Sequence, residues 1–172
     1  MPYRLWPSLI VTLAQTALAP LLGISLTSEP GWAASPPAPT LLYRLETTCS
    51  IRGAKAVDCV VEALQDDQAT LYRHSIGPVV ETIRISDGPL RMARLDPATG
   101  AWRSLGSAEA QFSSNTICFD GRDLCVFNPN YLNSVREERV DELEGRDRVL
   151  VRFDGDGRVL LTCYDQGCEA LP

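Results

Sequence analysis

The sequence predicts a mainly β domain: an antiparallel meander forming a barrel or a two-sheet sandwich, with one late α-helix. Three observations carry this reading. Short runs of alternating apolar and polar residues recur along the chain, each bounded by Gly, Pro or Asp. Six cysteines stand at hairpin-like spacings. A single stretch, opening at Asn128-Pro129, combines helix-start chemistry with helical spacing of its apolar residues.

The first segment of the 172-residue chain reads as an address rather than a domain. Arg4 supplies a basic start, residues 8–19 form an uncharged apolar run, and Gly31-Trp32-Ala33 offers small residues for a cut before Ala34. Ala17-Leu18-Ala19 is a poorer site because Pro20 follows it. Residues 1–33 are therefore expected to be a signal peptide. The alternative is an uncleaved anchor, since residues 8–26 are just long enough to cross a bilayer. No cysteine follows the apolar run to carry a lipid. Residues 34–40, with Ser35-Pro36-Pro37-Ala38-Pro39, are expected to be a Pro-rich leader, and 41–172 a single domain able to bury a core.

Strands are expected at 41–51, 56–63, 70–75, 79–85, 90–95, 102–105, 110–112, 116–119, 124–127, 148–153 and 159–164. Gly77-Pro78, Asp87-Gly88-Pro89 and residues 96–100 are strong turn signals between them. An even cysteine count in an exported chain points to disulfides, and strand register suggests local pairs. Cys49 set against Cys59 across a turn at Gly53-Ala54-Lys55 also sets Ile51 against Val57, Thr47 against Val61 and Leu45 against Ala63, on one mostly apolar face. Cys118 against Cys125 leaves Gly121-Arg122 as the loop, with Gly where a type II′ turn requires it. Cys163 and Cys168 enclose turn-forming residues. At Gly155-Asp156-Gly157 a bulged turn would pair Phe153 with Val159, Val151 with Leu161 and Val149 with Cys163. No C-x-x-C is present for redox work or zinc.

The helix is expected to take Asn128 as its N-cap and Pro129 as its first residue, with a break near Glu138 and an end at Gly145. Leu132, Val135, Val140 and Leu143 share its apolar face, while the other face is densely charged.

A net charge of −6 argues against a nucleic-acid partner. His74 is the one histidine, read as a surface or hydrogen-bonded structural residue, and no G-x-S-x-G elbow accompanies it. Asp154-Gly155-Asp156-Gly157 begins like a calcium loop, but Arg158 and Asp165 occupy later ligand positions, so a hairpin turn is preferred. No cofactor and no metal set are expected. Arg84, Arg91, Arg94 and Arg103 fall on three successive expected strands: either they converge on an anion or they form a solvent face balanced by acids. Tyr72 and Trp102 either line a ligand pocket or fill the core.

The run from Thr116 to Ser134, Thr-Ile-Cys-Phe-Asp-Gly-Arg-Asp-Leu-Cys-Val-Phe-Asn-Pro-Asn-Tyr-Leu-Asn-Ser, resembles a stretch in exported, uncharacterised proteins of cyanobacteria. The strand at 70–74 and the Cys163–Cys168 ending are similar in kind. The resemblance implies the periplasm, the thylakoid lumen or the medium, and no activity. A calycin-like barrel is one form the strand pattern can take, by analogy alone. The expected function is a non-catalytic exported domain binding a protein, an envelope component or a small ligand, without stable membrane insertion once the signal is cut. The alternative is a hydrolase of envelope glycans using paired carboxylates, which need no local motif.

Overall fold

The structure, a computed structural model, describes residues 38–170. The expected signal segment and most of the leader lie outside the described residues. The strands are β1 (Thr40–Ile51), β2 (Val57–Asp66), β3 (Ala69–Ile76), β4 (Val79–Asp87), β5 (Leu90–Leu95) and β6 (Trp102–Ser104). They continue as β7 (Ser107–Gln111), β8 (Thr116–Phe119), β9 (Leu124–Phe127), β10 (Arg148–Phe153), β11 (Val159–Tyr164) and β12 (Gly167–Ala170). Two short helices, α1 (Tyr131–Glu138) and α2 (Val140–Leu143), interrupt them late.

All neighbours are antiparallel, in the order β12-β11-β10-β7-β8-β9-β1-β2-β3-β4-β5-β6, and the sheet curls into a half-barrel. The sandwich alternative is thus excluded. Its physical reason is β1, whose outer side binds β2 and whose last residues, Thr48–Ile51, bind β9. That seam joins the meanders edge to edge in one sheet instead of stacking them face to face. The two ends of the sheet approach each other where the β10–β11 turn meets β6. A Cβ at Gly157, whose φ is +76°, would stand 2.8 Å from Ser104 Oγ, so only glycine fits.

All three expected disulfides are present: Cys49–Cys59, Cys118–Cys125 and Cys163–Cys168. The second and third join directly opposite residues, and the register of the second sets Ile117 against Val126 and Phe119 against Leu124. The first hairpin is offset by two residues from the expected register. Thr47 faces Cys59, Cys49 faces Val57 and Leu45 faces Val61, so the bridge runs diagonally with Cα atoms 5.7 Å apart. The end of β1 is drawn toward β9 instead: the Arg52 and Gly53 N–H groups donate to the Asp123 and Arg122 carbonyls, each at 3.0 Å. A two-residue offset keeps every side chain on its expected face. In β10–β11 the offset is one residue. Phe153 pairs with Val159 as expected, but a bulge then sets Val151 against Thr162 and Val149 against Tyr164. The extra residue, Leu160, is exposed.

The helix also begins later than expected. Asn128 is not its cap but takes a left-handed conformation (φ +50°), and its N–H donates to the Asn115 carbonyl at 2.7 Å, closing β9. Pro129 is buried, and α1 starts at Tyr131 without a side-chain cap. The expected break occurs at Arg139, between α1 and α2. Leu132 and Leu143 are buried, whereas Val135 and Val140 are exposed. The core fills the inside of the curl, with Val61, Ile83, Leu105, Phe119, Leu124 and Val126 at its centre.

Candidate ligand-binding cleft

Alternation along the strands decides which side chains enter the curl. Tyr43, Ala63, Tyr72, Ile83 and Arg94 stand side by side across β1 to β5 on its inner face. Ala63, fully buried, leaves room above it for the two tyrosine rings. Tyr131, the first residue of α1, closes over this end and meets Tyr72 with ring centroids 5.2 Å apart and planes tilted by 47°. Beside the pair, the inner faces of β4–β5 and β7–β10 diverge under the helical segment. They enclose a cleft of about 460 Å³. Ile85, Leu90, Met92, Ala110, Ile117 and Val151 form its apolar walls, and Phe112 and Tyr164 its far flank. Asp87, Glu138, Arg139 and Glu142 stand at the mouth.

Burial pushes the pKa of all three phenols up. They stay protonated, so each can donate a hydrogen bond. The Tyr43 hydroxyl is enclosed without a hydrogen-bond partner, although Tyr72 is near enough to disfavour its ionisation. Asp87 acts on Tyr72 in the same sense. At the β5 end of the same row, Arg94 ties the walls together, with Nε 3.7 Å from Glu81 on β4 and Nη1 3.4 Å from Asp123 in the β8–β9 turn. His74, two residues along β3 from Tyr72, is buried opposite Glu81 and edge-on to Phe119.

The structure separates the residues that the sequence groups as a binding set. Tyr72 and Arg94 are in one row of the inner face, two strands apart with Ile83 between them. Arg103 shares the face of Arg94 and turns outward at the sheet edge, held by Asp96 at 2.7 Å. Arg84, Arg91 and Trp102 lie on the outer face, where the Arg84 guanidinium sits 5.9 Å over the Trp102 ring and 3.9 Å from Asp66. The four arginines do not converge, because they alternate between faces of β4, β5 and β6. Of the candidates only Tyr72 lines the cleft. Tyr131, Met92, Phe112 and Ile117 were not singled out from the sequence. The signal for Tyr131 is its place beside Leu132 at the start of the amphipathic helix.

Among the described residues there is no group of three or more His, Cys, Asp or Glu placed to hold a metal ion. No carboxylate among them is buried. No family model, curated protein or solved structure matches the chain. What defines the class is thus the fold itself: a disulfide-linked antiparallel half-barrel with a helix-covered apolar cleft.

Proposed function

We propose that this chain is an exported, non-catalytic β domain that holds a small, mainly apolar ligand in the cleft beneath α1 and α2. The cleft is the observation that carries the reading. Its volume, its apolar walls and its few polar groups at one end match what small-molecule sites require. Three disulfides favour an oxidising compartment, and the cyanobacterial resemblance adds periplasm, thylakoid lumen or medium as destinations. Intact mass of the exported protein should place its first residue at Ala34; a species retaining residues 1–33 would contradict the signal reading. The binding reading is tested by calorimetric titration of the full chain with decanol. Saturable binding of one equivalent is expected, and Ala110→Phe, which fills the cleft wall, should abolish it while the thermal transition persists. Unsaturable uptake, or binding untouched by Ala110→Phe, would overturn the proposal. The hydrolase alternative has no facing pair of buried carboxylates to support it among the described residues.

A further inference from the structure

Four aromatic rings line the cleft, and they are not used alike. Two already carry an arginine of this chain: Arg136 stands 5.9 Å over Phe112, and Arg146 stands 3.5 Å over Tyr164. Tyr72 and Tyr131 form the other pair, and no guanidinium or ammonium of the described residues lies over either ring.

The charges around the cleft divide in the same way. Glu109 is held by Arg148, and Glu142 by Arg139 at 3.5 Å. Asp87 and Glu138 have no ion-pair partner among the described residues, yet both line the cleft. Asp87 lies on the inner face of β4, two residues beyond Ile85, and near enough to Tyr72 to disfavour its ionisation. Two ring surfaces without a cation thus share one apolar cleft with two carboxylates without a cation: Asp87 acts on Tyr72, and Glu138 stands about two helical turns along α1 from Tyr131. A positively charged group placed there gains from the ring quadrupoles and from both carboxylates, whereas an anion meets their repulsion, offset only by the phenol hydroxyls and by Arg139, which is already paired with Glu142.

Building on the binding reading, we propose that the ligand is a cationic amphiphile: an apolar body lying along Ile85, Met92 and Val151, with an ammonium head against Tyr72 and Tyr131 and facing Asp87 and Glu138. The closed sides of the cleft take the chain, and the carboxylates at the mouth keep the head partly solvated. A fatty-acid anion is disfavoured at this position.

The test compares three probes sharing one chain, decyltrimethylammonium, decanol and decanoate, titrated below their micellar concentrations into the full chain. The ammonium should bind about tenfold more tightly than the alcohol, and the carboxylate more weakly than both. Both acids are exposed, so Asp87→Asn with Glu138→Gln removes the charges without disturbing the core. That variant should lose most of the ammonium preference and keep its decanol affinity. Tyr131→Leu should lose a further part, with decanol binding reporting that the cleft persists. Decanoate binding as tightly as the ammonium, or an ammonium preference surviving the double variant, would overturn the inference while leaving the binding reading in place. Failure of all three probes to bind would overturn both.

Discussion

His74 illustrates what a single position can hide. No motif around it marks it as interior, yet it is only 1% exposed. It follows Tyr72 by two residues and precedes Ile76 by two, all on the inner face of β3, so the period of two was the available signal. Its Nδ1 lies 3.2 Å from the Glu81 carbonyl, and a carbonyl only accepts, so the neutral ring carries its proton on Nδ1. Burial holds its pKa down to about 4, against the ordinary 6.5. The unfolded chain therefore binds a proton that the folded chain refuses between those values. This contribution is absent above pH 6.5, destabilises progressively as pH falls to about 4, and amounts there to about 3 kcal/mol. Urea unfolding across that window should show a steeper loss for the natural chain than for His74→Leu. Parallel pH profiles would contradict it. The arginines fail as a legible set for the opposite reason: residue type was clear, but face depends on register, and a change of one position reverses it.

The helical segment was legible in composition and in its break, but not in its start. Asn128-Pro129 has the chemistry of a helix start, and tertiary pairing of Asn128 with Asn115 took it for closing β9 instead. Its apolar face was half right: Leu132 enters the core, while Val135 is 37% exposed. Leu132→Ala should accordingly cost about 2–4 kcal/mol. Val135→Ala should cost well under about 1 kcal/mol. Equal losses in urea melts would mean that α1 packs by a different face. The bulge at Leu160 escaped the sequence because both registers bury apolar residues; the hairpin alternation holds on either side of it. β12 escaped because Gly167–Ala170 has neither alternation nor β-branched residues, and it is a strand only through pairing with β11.

In the molecule as a whole, the class and the disulfides were the most legible features. Local hairpins bring cysteines 10, 7 and 5 residues apart into reach, and no distant contact is needed to pair them. Curling into one sheet was not legible, since it rests on β1 meeting β9 and β7 meeting β10 across long stretches of chain. Such short loops should each stabilise by about 2–3 kcal/mol. Reduction should thus lower the melting temperature and leave the fold in place. The three bonds should not be equivalent: Cys49 and Cys59 are buried in the core cluster, whereas Cys163–Cys168 bridges the sheet-edge hairpin. Replacing Cys49 and Cys59 by Ala should therefore lower the urea midpoint more than replacing Cys163 and Cys168. The reverse order, measured on the two double variants, would contradict this placement.

The seam between β1 and β9 also sets an order in time. β1 obtains β2 as a partner almost as soon as the two can pair, but its other side waits until the chain as far as Phe127 folds back onto it. That interval is long beside the roughly 1–10 μs in which a hairpin closes. Throughout it, the last residues of β1 present unpaired N–H and C=O groups to any extended chain nearby. The folding polypeptide is thus most exposed to wrong partners after its first hairpin has closed and before β9 has docked.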